Sequence, residues 1–292
     1  MGYNGQRVNM KKYFVILSVF VVLSFCSCTK PAGNPITKAF AIEGTYENLE
    51  VNSAFDVSVS DTASRIYITV GQYIMPKVVV EKKGNTLKIY CKPSIMNRGN
   101  SKMLVILPHC VDLKDVDLSG ASTMRTPFAL EGDNVEVSLS GSSHYYGNIV
   151  AENTSLDLSG SSDFHGNISS TQGIKMDLSG ASQFHGDIET DNLDLELSGA
   201  SDVEMMGRTT TLIIDLSGAS EIVRQTVGGR YALECDDCEG SMSGASNAYI
   251  HCNNSIRVTL SGASELHYTG DAITTGSSMS GASTISRDGR SN

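Results

Sequence analysis

The chain has no helical periodicity, no basic patch and no second metal-type cysteine pair. No stretch of its repeated part recurs every 3.6 residues, which excludes a helical bundle. Lysine and arginine number 22 against 32 acids, for a net charge of −10. An acidic chain without a basic cluster is a poor nucleic-acid binder. No Gly-x-Ser-x-Gly elbow is present, so the nucleophile of an α/β-hydrolase is missing. Cys235-x-x-Cys238 stands without a second such pair, a weak signal for zinc, and no βαβ pattern surrounds it to suggest redox chemistry. Only one extended apolar run exists, Tyr13 to Phe25, and it is short for a membrane span.

What is there is a phrase, Ser-Gly-Ala/Ser-Ser, repeated nine times from Ser119, Ser140, Ser159, Ser179, Ser198, Ser217, Ser243, Ser261 and Ser280. The gaps are 21, 19, 20, 19, 19, 26, 18 and 19 residues. A period near 20 is the mark of stacked coils. Before each phrase comes an apolar residue: Leu118, Leu139, Leu158, Leu178, Leu197, Leu216, Met242, Leu260 and Met279. Apolar-polar alternation such as Leu156-Asp157-Leu158 leads into it, the signature of a strand with one buried face. After the phrase a second mostly apolar column follows: Met124, Tyr145, Phe164, Phe184, Val203, Ile222, Ala248, Leu266 and Ile285. Gly147, Gly166, Gly186 and Gly270 are expected to end that short strand.

These features predict an all-β chain, a parallel β-solenoid (β-helix-like) of about 19-residue coils with a strand-rich N-terminal cap. An antiparallel sandwich or barrel is the alternative, but the fixed phase of the corner phrase favours the solenoid. Nine rungs about 4.8 Å apart give a rod of roughly 40 Å. Residues 45–118 lack the phrase and read as the cap, with strands around 55–59, 66–70, 78–81, 87–90 and 103–107 and a hairpin turn at Lys83-Gly84-Asn85. Residues 119–288 hold the repeats, within a single domain from 45 to 288. The 26-residue gap hides an insertion containing Val227-Gly228-Gly229-Arg230.

Residues 1–27 read as a secretory signal: Lys11-Lys12, an apolar middle and a small-residue end at Ser-Phe-Cys-Ser-Cys. The ending resembles a bacterial lipoprotein signal, with Cys28 the preferred lipidation site and Cys26 second; an ordinary cleaved signal is the alternative. Loss of residues 1–27 leaves 19 basic against 32 acidic side chains, about −13. Residues 28–44 read as a flexible tether.

The Phe55-Asp56-Val57-Ser58-Val59 opening, the Gly84-Asn85-Thr86-Leu87-Lys88-Ile89 stretch and the recurring Leu-Ser-Gly-Ala-Ser resemble the putative auto-transporter adhesin, head GIN domain family over about residues 48–285. That resemblance implies an envelope lipoprotein of Gram-negative bacteria with a β-helix-like fold and no established enzymatic activity, and it offers no catalytic residues. The chain is therefore expected to be a non-enzymatic, exported lipoprotein, structural or adhesin-like, lipid-anchored in the cell envelope on the periplasmic or surface side, with no cofactor. Expected partners are the membrane, a glycan or an envelope protein, and a second copy of the chain through its end coils. A carbohydrate-binding or polysaccharide-acting periplasmic protein is the first alternative, a metal-binding envelope protein the second.

Candidate ligand residues share one repeat phase: Tyr146, His165, His185, Glu204 and His267. His165, His185 and Glu204 on successive rungs carry a zinc-type donor set, against the plainer reading of a solvated ladder. The adjoining polar column Thr123, His144, Asp163, Gln183, Asp202, Glu221, Asn247, Glu265 and Thr284, beside Tyr145, Tyr146, Phe164 and Phe184, suits a glycan surface, although Phe164 and Phe184 fall in the core column. Cys235 with Cys238, and Cys91 with Cys110, are candidate disulfides, which leaves Cys252 over.

Overall fold

The computed structural model describes residues 32–92 and 102–289. The signal segment 1–27 and Cys28 lie outside the described residues. The fold is nearly all β, a parallel β-solenoid of about nine turns some 19 residues apart.

The Ser-Gly phrase is the corner that keeps the turns in phase. Each corner stacks on the one before it through backbone bonds: Ser198 N–H to Leu178 O (2.9 Å), Ala200 N–H to Gly180 O (2.7 Å) and Asp202 N–H to Ser182 O (3.0 Å). Gly199 adopts φ +75°, and a Cβ there would lie 2.5 Å from Gly180 O. Only glycine fits that approach. The last Ser of the first eight phrases turns inward. Ser122, Ser143, Ser162, Ser182, Ser201 and Ser264 are fully buried, and their hydroxyls donate to the carbonyl of the phrase's own first Ser, as in Ser182 Oγ to Ser179 O at 2.7 Å. The hydroxyls thus satisfy corner carbonyls, a local side-chain-to-backbone bond.

Both expected apolar columns are buried up to the last coil, where Ile285 is only partly buried. Leu118 through Leu260 line one, Met124 through Leu266 the other, and Tyr145, Phe164 and Phe184 stack at 5.1 and 5.4 Å between centroids. Met279 departs from its column: it is 57% exposed, because it sits in the strand Ser278–Met279 on the last described rung. The glycine expectation holds in part. His144–Tyr146 and Asp163–His165 end before Gly147 and Gly166, but Gln183–Leu197 runs through Gly186, which stays in register with Met205.

The N-terminal section is more regular than expected. Its five strands and its hairpin lie where the alternation placed them, with Val78–Lys83 antiparallel to Thr86–Cys91. However, Asn48–Val51 and Phe55–Ser60 stack parallel on Asp115–Leu118 and Thr123–Arg125, so they form a further coil of the solenoid. Its corner is Asn52-Ser53-Ala54, with Ser53 at φ 108° and Ala121 N–H bonded to Ser53 O at 2.7 Å. The antiparallel strands Pro35–Phe40 and Ile66–Gly71 cover its flank. Residues 35–40, expected as part of a tether, are therefore a strand: pairing with Ile66–Gly71 satisfies their backbone although their side chains are largely exposed.

Candidate functional site

Stacked coils convert one repeat phase into a continuous column. The phase of Tyr146, His165, His185 and Glu204 forms a ladder whose rings lie face to face. Tyr146 and His165 stack at 4.8 Å with 4° between planes, His165 and His185 at 4.7 Å and 7°. Arg125 covers the outer face of Tyr146 at 4.9 Å and is held by Asp56 at 2.6 Å. At the other end His185 Nδ1 meets Glu204 Oε2 at 3.0 Å, and Gln225 Nε2 donates to Glu204 Oε1 at 2.7 Å. Burial, then the neighbouring His185, hold the His165 imidazole below its ordinary value.

His267 is in the same phase but belongs to a separate ladder. The insertion and Val223 interrupt the column between Glu204 and Tyr249. Tyr249 stacks on His267 at 4.8 Å, Arg224 lies over Tyr249 at 5.9 Å, and His267 Nδ1 contacts Ser286 Oγ at 2.8 Å. The insertion folds as the hairpin Thr226–Val227 with Arg230–Tyr231, anchored by buried Tyr231, whose N–H donates to Thr269 Oγ1 at 3.1 Å.

This geometry bears on two of the alternatives. His165, His185 and Glu204 do not converge on a metal: coplanar stacking points the imidazole nitrogens side by side, and among the described residues no group of three such ligands is placed to hold one. The aromatic platform expected beside the polar column is absent, because Tyr145, Phe164 and Phe184 are fully buried. Within the ladder the facing sides of Tyr146, His165 and His185 are covered by one another, and the outer face of Tyr146 by Arg125. The polar column itself is present; its His144 Nδ1 lies 2.9 Å from Asp163 Oδ2.

The cysteines are also rearranged. All five described are free thiols, so neither candidate disulfide is formed. Cys91 packs against Met103 sulfur at 4.0 Å, whereas Cys110 donates to Tyr46 O at 3.1 Å. Cys235 is in register with Thr209 and with Cys252, in a column of small corner residues; Cys238 belongs to the apolar column of Leu212 and Ile256. The Cys-x-x-Cys spacing is thus two inward positions flanking one bend. Cys252 Sγ meets Ser255 O at 3.3 Å, much as Thr209 Oγ1 donates to Thr211 O at 2.9 Å.

A feature that sequence reading missed is a groove of about 680 Å³ along the rod, lined by Asn134, Asn153, Asn192, Ser155, Lys175 and Asp194 among others. It spans seven neighbouring coils, from Asn48 through Lys114-Asp115 to Ile213. The signal was available, since Asn134, Asn153 and Asn192 share one repeat phase, but Gly173 breaks the column and an extra residue shifts the register between Ser170 and Gly173.

The family described as "Putative auto-transporter adhesin, head GIN domain" matches residues 45–173 and again 165–272. No curated protein matches the sequence. Among solved structures, a putative adhesin from Parabacteroides merdae is 16% identical with a TM-score of 0.59, covering 89% of this chain and 98% of its own. A putative adhesin from Parabacteroides distasonis is 17% identical at TM-score 0.59, covering 89% and 99%. A putative lipid binding protein from the same organism is 21% identical at TM-score 0.56, covering 89% and 98%. At these identities the likeness is one of fold.

Proposed function

The chain belongs to the auto-transporter adhesin head GIN domain family, and from that premise we propose that it is a non-enzymatic, adhesin-like protein of the cell envelope. One observation carries the reading. The polar side chains run rung after rung in parallel columns, as from Arg125 through Tyr146, His165 and His185 to Glu204. Catalysis needs groups that converge on one bond. Columns instead spread polar groups along one axis, which suits attachment through many weak contacts.

Export directed by residues 1–27 and a lipid on Cys28 would leave the rod standing off a membrane. The charged start, apolar middle and small-residue end of that segment support this part of the reading. Incorporation of a labelled fatty acid that is lost in Cys28→Ser is the expected result; unchanged labelling would sink the anchor.

The main test is adhesion. Beads carrying the chain should bind bacterial or host cells saturably, and any one-rung substitution on the outer columns should lower binding only fractionally. Binding abolished by one substitution, together with turnover of a polysaccharide, would overturn the reading in favour of an enzyme.

A further inference from the structure

We propose that the groove lined by the asparagine column binds an extended, uncharged polysaccharide lying along the rod. This rests on the adhesive role proposed above and gives that role a site.

The first argument is what the groove cannot take. Its strands are hydrogen-bonded rung to rung on both sides: Leu130–Leu139 to Asp115–Leu118 and Ile149–Leu158, and Ile168–Leu178 to Ile149–Leu158 and Gln183–Leu197. No row of free backbone groups remains there for a peptide to extend the sheet, so strand addition is closed. A ligand must be held by side chains. Polyanions are disfavoured too. Asp115, Glu136 and Asp194 line the groove, whereas Lys114 is paired with Glu47 at 2.9 Å and Lys175 with Glu196 at 3.3 Å.

The second argument is what the side chains offer. Asn153 Nδ2 donates to Asn134 Oδ1 at 3.4 Å, and Asn192 Nδ2 donates to Gln172 O at 2.9 Å. Among the described residues this leaves the Asn134 amide nitrogen as an unused donor and the Asn153 and Asn192 amide oxygens as unused acceptors. The Ser155 hydroxyl is likewise unpaired. An unused donor at Asn134, unused acceptors at Asn153 and, two rungs on, at Asn192, and the Ser155 hydroxyl suit a ligand whose units carry hydroxyls able both to donate and to accept. Rungs about 4.8 Å apart lie close to the length of one sugar unit in an extended glycan, so successive units meet successive coils.

The third argument is the break in the column. Gly173 replaces the asparagine between Asn153 and Asn192 in register. A Cβ built there meets no atom closer than 3.7 Å, and Gly173 is not in the left-handed region. The glycine is not demanded by the backbone. Its effect is a gap in the asparagine column at mid-groove, which a larger side chain would fill.

A Cβ at Gly173 would make only ordinary van der Waals contacts, the nearest at 3.7 Å, so a side chain can be added there without shifting the coil. Full-length protein and its Gly173→Tyr variant would be run through native gels containing laminarin, xylan, β-mannan or, as a polyanion, heparin, with bead adhesion to cells measured in parallel. We expect retardation by at least one neutral polysaccharide, at least tenfold weaker in Gly173→Tyr at unchanged melting temperature. Val227→Ser, at the exposed tip of the insertion and off the groove, should retain it. No retardation by any neutral polysaccharide, retardation by heparin alone, or retardation untouched by Gly173→Tyr would each overturn the groove. If cells still bind in those cases, the adhesive reading stands without it; if no cells bind, that reading falls as well.

Discussion

Single residues in this protein are judged by the column they occupy. Tyr145 shows the principle. Its ring stacks on Phe164 in a column that is phenylalanine for the next two rungs, yet its hydroxyl is buried with no hydrogen-bond partner among the described residues. An unsatisfied buried hydroxyl costs about 1–3 kcal/mol. Tyr145→Phe removes only that group, so it should raise stability by about 1 kcal/mol in a urea melt. A loss of stability would mean that the hydroxyl has a partner, such as a buried water. By contrast, the outward rings Tyr146, His165 and His185 gain from stacking and lose nothing by wetting their edges.

At the scale of the element, the corner is the least negotiable part of each coil. From Gly141 onward its glycine faces the carbonyl of the glycine one turn earlier, and Gly120 faces that of Ser53, so the constraint is repeated at every corner. Gly199→Ala adds a Cβ 2.5 Å from Gly180 O at φ +75°. Strain of that kind costs about 1–3 kcal/mol, and the expected outcome is a melting temperature lower by several degrees. An unchanged melting temperature would show that the coils can slide apart locally at little cost. The corner serine acts more gently, because its hydroxyl satisfies a single carbonyl. The insertion is held differently again: buried Tyr231, the Gln225–Glu204 bond and the Gly207 N–H to Ala232 O bond fix the base of its hairpin, and its tip at Val227 is exposed.

For the whole molecule, acid is the informative stress. Burial lowers the pKa of His165 and of His251, so the fold favours their neutral forms. The unfolded chain takes up those protons near the ordinary value of 6.5. Their contribution is therefore full above that pH and is lost as pH falls below it. Asp115, Asp117, Asp177 and Glu221 act oppositely: burial raises their pKa values, so acid relieves them in the carboxylate range. The melting temperature should fall as pH drops from about 7 toward about 5.5, and His165→Gln should make that slope shallower. A slope identical in the variant would place the acid sensitivity elsewhere.

Much of this architecture was legible from the chain alone. A phrase in constant phase has one solution when its glycine needs a positive φ and the flanking residues alternate: coils stacked in register, with Leu178 above Leu158 and Phe184 above Phe164. The degenerate corner at Asn52-Ser53-Ala54 was not legible, because it keeps the backbone shape while changing the letters. Periodicity also says which residues share a column but not how their side chains meet. Only the tertiary structure decided that Tyr146, His165 and His185 close their faces on one another, that Cys235 and Cys238 lie in different columns, and that Asn134, Asn153 and Asn192 border a groove with a gap in their column at Gly173. The reason is physical. Register follows from backbone hydrogen bonds, which every residue carries alike, whereas a surface is made by rotamers and by the bends between strands, which depend on neighbours some 19 residues away.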